Sequence, residues 1–346
     1  MTDTKTRVLV VGMGALGSIY AWLLQKSGEV EVTAVCRSNY KTVQDHGFKI
    51  KSQALGNHTY RPTRVVASVA EAADTDYDFI LFCTKALPNL GDNSEIIAPV
   101  VKQGTVIILV QNGIGIEEPF AERYPQAQLV SVVAYIDTSQ PEPGVIEHGM
   151  LAALIMGFHG PGDQPVSTGG AAEADGSVGS EREKAQRGMA TLCELWNANG
   201  AMCMMTDDIQ RYRWLKLVWN ASFNTVSVVS GGNDTRQMLD NEGCRDLVRN
   251  IMQEVYTVGA RVTGQELPVH MGMDGPDAFI ADADNREVAV QPSMLMDFCA
   301  RRPMEHDVIL GNPLRIARRL GVPAPHMETV YAMLVMVEKG YLGAHL

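Results

Sequence analysis

The chain has 346 residues, of which 46% are hydrophobic and 20% charged, and its net charge is −11. That length is more than one small core organises, so two domains of a soluble globular protein are expected. The acidic balance excludes a nucleic-acid or anionic-membrane surface as the main partner, since either needs a basic excess.

The first stretch, "MTDTKTRVLVVG", lacks the long apolar run of a signal peptide. Within it "RVLVVG" (7–12) is a β-branched run of the kind that forms a buried strand. "ALGSIYAWLLQKSG" follows with helical period and is closed by Gly28. "EVTAVCR" predicts the next strand, ending at Arg37, and further strands are expected at 78–85, 104–113 and 129–137, with helical or loop segments between them. Such alternation implies βαβ units and a mostly parallel sheet, an α/β domain of Rossmann type. "EHGMLAALIMGFHG" (147–160) reads as a last strand pair near the sheet edge. Residues 160–183 are rich in Gly, Ser, Ala and acid, with almost nothing bulky to bury, and predict a flexible surface insertion. "GMATLCELWNANG" and "AMCMMT" look like one more αβ unit, so the first domain is drawn over 1–207. From 208 to 346 the pattern is helical, with helices expected at 208–230, 243–264, 275–300, 305–321 and 324–339, an all-α second domain.

No apolar run approaches the roughly 20 residues that span a bilayer, so no membrane partner is expected. Six cysteines without a C-x-x-C pair read as reduced thiols in a cytoplasmic protein. The last three residues, Ala344-His345-Leu346, loosely resemble a peroxisomal address of the S-K-L type. Eight histidines without H-E-x-x-H or clustered spacing give no metal site.

Gly12-Met13-Gly14-Ala15-Leu16-Gly17 is a G-x-G-x-x-G placed between the first strand and its helix, the context that gives the motif meaning. Gly12 allows the turn, Gly14 lets backbone approach a pyrophosphate, and Gly17 lets helix and strand pack closely. The phosphates would face the helix N-terminus and its free N–H groups. A site for NAD usually carries a carboxylate about 20 residues on. This chain has Arg37-Ser38-Asn39 there instead. Arginine and small polar groups suit a 2′-phosphate, which favours NADP(H); a solvated surface arginine is the plainer alternative. Ligands of such sheets sit beyond the carboxyl ends of the strands. Lys85 and Asn112 lie there: Lys85 as a phosphate or carboxylate partner or a solvated lysine, Asn112 as a ribose or substrate partner or a turn residue before Gly113.

In "RWLKLVWNASFN" (213–224) Lys216, Asn220 and Asn224 recur every fourth residue among apolar and aromatic neighbours. On an α-helix they share one narrow face. A surface helix would show a wider polar arc, and a wholly buried one would not keep an unpaired ammonium. A helix packed nearly all round, with one stripe facing a polar cleft, fits better; a snorkelling lysine with backbone-bonded asparagines is the alternative. Downstream, Ser293 and Asp297 are also four apart, Pro303 interrupts their helix, and Glu305 starts the next. Ser293 could equally cap its helix, and Glu305 could balance a helix dipole.

The glycine loop, Asn112-Gly113, "WLKLVWNASFN", "SMLMD" and "MEHDVILGNP…GVPAP" come in an order that resembles the ketopantoate reductases (2-dehydropantoate 2-reductases), most of all the longer fungal-type members. The likeness spans nearly the whole chain outside 160–183. It implies a Rossmann-type domain followed by a helical domain like that of 6-phosphogluconate dehydrogenase, with NADPH-dependent reduction of 2-dehydropantoate to pantoate. By position it implies Lys216 as proton donor and Glu305 as its support. Asn220, Asn224 and Ser293 would hold the substrate, Asn112 would stand between cofactor ribose and substrate, and Lys85 would lie near the cofactor. A homodimer acting on a small 2-oxo acid goes with it. The family's T-E-I-D-x-[IL]-N-G motif departs here to Met304-Glu305-His306-Asp307-Val308-Ile309-Leu310-Gly311. Met304 and Leu310 in place of threonine and asparagine leave open another 2-oxo or β-keto acid, and a non-catalytic NADP(H) sensor is the alternative outside enzymes.

Overall fold

The computed structural model describes residues 5–160 and 176–343. The chain divides into two units. The first takes Met1–Thr84, Ser94–Gln111 and Glu117–Ile209, and the second takes Lys85–Asn93, Asn112–Ile116 and Gln210–Leu346. Two short segments that follow strands of the first unit therefore belong to the second.

Unit 1 runs β1 (Thr6–Val11), α1 (Ala15–Gln25), β2 (Val30–Val35), α2 (Tyr40–His46), β3 (Phe48–Ser52), β4 (Gly56–Tyr60), β5 (Arg64–Val66), β6 (Phe79–Phe82), β7 (Val106–Leu109), α3 (Glu118–Arg123), β8 (Gln128–Glu142), β9 (Val145–His159), α4 (Gly176–Ala198) and β10 (Met202–Met205). Strands β5-β2-β1-β6-β7-β8 lie side by side, and every pairing among them is parallel. Counting only these six, the order is 3-2-1-4-5-6, that of the doubly wound nucleotide-binding sheet, and it reverses between β1 and β6. Strands β6 and β7 are buried throughout, as strands covered on both faces are.

The rest of the sheet differs from the sequence reading. The expected edge pair at 147–160 is one 15-residue strand, β9, in a long antiparallel hairpin with β8 through a Pro143-Gly144 turn. Gly144 takes φ +78°, which such a turn requires. The two halves of β9 then pair on their other side with β3 and with β10. Strands β3, β4 and β5 were not expected, because β5 is only three residues long and β4 is almost wholly exposed and polar. The expected insertion at 160–183 ends earlier than composition suggested, since α4 already begins at Gly176; residues 161–175 lie outside the described residues. Ala185, Met189, Leu192 and Trp196 anchor α4 in the core, and the Trp196 indole N–H donates to the Tyr20 carbonyl of α1 at 3.0 Å. Extending an anchored helix adds a hydrogen bond per residue without a new nucleus, which carries it into a poor sequence.

Unit 2 is helical: α5 (Ile209–Trp219), a π-helical turn (Asn220–Asn224), α6 (Thr225–Val229), α7 (Thr235–Asp240), α8 (Glu242–Thr263), α9 (Pro276–Asn285), α10 (Ser293–Cys299), a second π-helical turn (Asp307–Gly311), α11 (Asn312–Leu320) and α12 (Pro325–Leu342). The helix expected over 275–300 is two helices. Backbone at Arg286 is extended, and Pro292, with φ −61° and ψ 147°, opens α10 as a residue that cannot continue a helix from before it. Helix α7 was also not expected; a reciprocal Asp234–Gln237 capping box starts it. Among the described residues no helix is long and apolar enough to cross a membrane. The C-terminal tripeptide 344–346 lies outside the described residues.

Candidate active site

Unit 1 carries a cradle made of backbone. Gly12 stands at φ +100°, and a Cβ there would meet the Thr84 amide nitrogen at 2.7 Å. A Cβ on Gly17 would collide with the Gly12 carbonyl oxygen. At Gly14, by contrast, nothing lies within 4 Å of the place a Cβ would take. Two glycines are thus demanded by close packing and the third faces open space at the start of α1, as bare backbone approaching a phosphate requires. The loop sits after β1, at the point where the strand order reverses. The Asn39 side chain is buried and donates to the Met13 carbonyl at 2.9 Å, so it braces the loop and is not available to a 2′-phosphate as the sequence suggested. Arg37 and Ser38 at the end of β2 are exposed. These residues fit a dinucleotide: Gly12 to Gly17 would hold the pyrophosphate and Arg37 the far ribose.

Unit 2 gathers Lys85, Asn112, Lys216, Asn220, Asn224, Ser293 and Glu305. Helix α5 buries Trp214, Leu215, Leu217 and Val218, which leaves Lys216 partly exposed on the remaining stripe. Packing around its ammonium, the neighbouring Arg213 guanidinium and, in the opposite direction, the Glu305 carboxylate bring the Lys216 pKa down to about 8. Beyond α5 the helix widens into the π turn. Residues four apart overshoot one α-helical turn by about 40°, and a wider turn reduces that overshoot. Asn220 and Asn224 stay on one side of the helix: the Asn224 amide donates to the Asn220 side-chain oxygen at 3.3 Å and to the Ser293 hydroxyl at 3.2 Å. Ser222 and Thr225 hydroxyls donate back to the Val218 and Ala221 carbonyls, satisfying backbone that the π turn displaces.

Glu305 is no solvated helix-start charge. It is 8% exposed and accepts from the Ala86 amide at 2.9 Å and from the Asn112 side chain. Burial pushes its carboxyl above the usual range, against the Lys85 charge and these two donors. The buried Asp297 carboxylate accepts from Lys85 and, at 3.1 Å, from Arg302. Glu338 of α12 clamps both sides of Glu305, accepting from the Met304 amide at 2.7 Å and the His306 ring at 2.8 Å. Met304 and Leu310 are fully buried, so these two departures from the family motif fill the core. Ser293 is exposed in the first turn of α10 behind Pro292, with its hydroxyl turned to Asn224 and not to a cap.

Sequence reading missed three contributors: the Ala86 amide, Glu338 and Arg213. A main-chain donor and a glutamate more than thirty residues from its partners leave no local spacing to find. Arg213 had a signal, since it stands one helical turn before Lys216. Asp297 was visible as the residue four after Ser293, but without its partner Lys85.

A doubly wound nucleotide-binding unit and a helical unit that concentrates a lysine, two asparagines and a buried glutamate define a nicotinamide-nucleotide-dependent oxidoreductase acting on a keto group. The family model "Ketopantoate reductase PanE/ApbA" matches residues 8–160, and its C-terminal counterpart matches residues 208–338. The solved 2-dehydropantoate 2-reductase of Methylococcus capsulatus is 36% identical, with a TM-score of 0.79 over 98% of this chain and 99% of that one. The 2-dehydropantoate 2-reductase of a Nostoc species is 28% identical over 96% of both chains. D-mandelate dehydrogenase, solved with NADH and anilino(oxo)acetate, shares the fold at a TM-score of 0.77 and 19% identity, covering 97% of this chain and 99% of that one. The chain belongs to the ketopantoate reductase family.

Proposed function

We propose that the protein reduces 2-dehydropantoate to pantoate with NADPH. What supports this reading, beside the family match, is the grouping of Lys216 with Glu305 and with the hydrogen-bonded Asn220, Asn224 and Ser293. A Lys216 pKa lowered to about 8 fits it, leaving the ammonium mostly charged at neutral pH with its proton within easy reach of transfer. When bound, NADPH supplies the hydride for the keto carbon. As charge grows on the carbonyl oxygen, the Lys216 ammonium stabilises it more than it stabilised the ketone, then gives up the Nζ proton. Glu305 keeps that lysine charged among apolar walls. Asn220, Asn224 and Ser293 hold the carboxylate and hydroxyl of the acid, and Asn112, hydrogen-bonded to Glu305, serves both ribose and substrate. Arg37 takes the 2′-phosphate.

The test is NADPH oxidation on adding 2-dehydropantoate, alongside a panel of other 2-oxo acids. Turnover fastest on 2-dehydropantoate supports the reading; turnover fastest on another 2-oxo acid replaces the substrate and keeps the chemistry. NADPH binding with no turnover on any acid would make the chain a sensor. A homodimer in the cytoplasm accompanies the proposal, by analogy with the family, and sedimentation velocity tests the assembly.

A further inference from the structure

Arg213 is 4% exposed, yet it carries a charge it cannot lose. Its Nη1 donates to the Gly113 carbonyl at 3.0 Å. That carbonyl is held from several sides. Gly113 takes φ +96°, with Val308 filling the space a side chain would need. The next residue, Ile114, donates its amide to the Val308 carbonyl at 2.9 Å and accepts from the Asn312 side chain at 2.7 Å. The guanidinium is therefore anchored to a fixed loop, the same loop that presents Asn112 to Glu305. On α5, positions 213 and 216 are three apart and so are neighbours on the helix surface, with Cβ atoms about 5–6 Å apart.

We propose that Arg213 is a positioning residue of this site: anchored at Gly113, its fixed guanidinium orders the Asn112 loop and sets the electrostatic field in which Lys216 works. The inference rests on Lys216 being the proton donor. Between two close cations in a packed environment, the arginine keeps its proton and the lysine yields. Three sets of charges bear on the lysine: Arg213 on its own helix, Glu305 from the segment before the second π turn, and Lys85 with Asp297 through Glu305. Burial opposes the positive form most; among the charges, Arg213 adds to it and Glu305 resists it. This arrangement makes the lysine a better acid near neutral pH than an isolated lysine would be.

The test follows the titration of Lys216 itself, by NMR of protein labelled with ¹³C at the lysine ε-carbon, with the signal assigned by its loss in Lys216→Met. Arg213→Gln keeps a donor for Gly113 and removes the charge. The midpoint is expected to rise by about one pH unit or more, and the alkaline fall in kcat/KM should move with it. Asn312→Ala removes the hydrogen bond to the Ile114 carbonyl and keeps the Arg213 charge, so the midpoint should stay near that of the unaltered protein while kcat/KM drops. Simple loosening of the loop would move both variants alike. Arg213→Met gives the same reading as the glutamine variant should that one fail to fold. A midpoint unmoved in Arg213→Gln, or raised equally in Asn312→Ala, overturns the inference. A midpoint that rises while the alkaline limb of the rate stays put shows the hold of Arg213 on the lysine's charge but removes Lys216 as the proton donor, and the inference falls with the reading it rests on.

Discussion

The nucleotide cradle of unit 1 and the charged cluster of unit 2 are built on opposite principles. The cradle is six consecutive residues, and what matters in it is the absence of side chains: two glycines packed against backbone and one facing open space. The cluster draws on residues from 85 to 338, and what matters is which charged atoms are buried together. Adding a methyl therefore breaks the first, and removing a charge breaks the second. The cradle is a problem of steric fit, solved locally, while the cluster is a problem of electrostatics, solved by convergence.

Four changes would sharpen this contrast. The largest effect falls on the cluster. Lys216→Ala should cut reduction by about 10³-fold, in the range a lost general acid implies, while fluorescence titration still shows NADPH binding. Near-normal turnover in that variant would remove the lysine from the mechanism. At the nucleotide end, Arg37→Asp replaces an attraction by a repulsion and should shift the ratio of NADPH to NADH efficiency by about 100-fold towards NADH. An unchanged ratio would mean the 2′-phosphate is held elsewhere. Gly113→Ala tests steric fit inside the cluster itself: its Cβ would lie 2.5 Å from the Val308 side chain on a backbone at φ +96°. A loss of about 2 kcal/mol in denaturant unfolding is expected, roughly a 30-fold change in the folding constant. The smallest effect needs no mutation. On the proposed mechanism, reduction uses protonated Lys216, whose pKa is lowered to about 8. Its rate should therefore be full well below pH 8 and fall about tenfold for each pH unit above it, with the reverse oxidation favoured in that range. A flat rate between pH 7 and about 9.5 would contradict the assignment.

The difference in construction also explains what could be read in advance. Gly12, Gly14 and Gly17 were legible because a fixed local spacing between strand and helix is the whole signal. Lys216, Asn220 and Asn224 were legible because a helix turns any four-residue repeat into a stripe. The partners of that stripe were not. Glu305 meets the Ala86 amide, 219 residues away in sequence, and no periodicity reports such a contact. Strands β4 and β5 escaped for a related reason: they are stabilised by the neighbours they pair with, β3 and β2, and hardly by their own composition. The long hairpin was half visible, since the apolar run of β8 gives way at Asp137 to the polar stretch Thr138–Glu142, which hides its continuation to the turn.

The two π turns have a consequence for how the helical unit tolerates change. An α-helix advances about 100° per residue, so each widened turn acts as a phase shift, displacing everything after it around the axis. Removing one residue between Asn220 and Asn224 would let the segment relax to an ordinary helix and leave Thr225–Val229 on the buried face they now occupy, because the wide turn holds one residue more than an α-helical turn for about the same rotation. The extra residue thus serves the placement of Asn220 and Asn224, and packing would survive its loss. Related sequences aligned to this one that lack this asparagine pair should tolerate a one-residue gap inside 220–224 more readily than a gap elsewhere between 209 and 229.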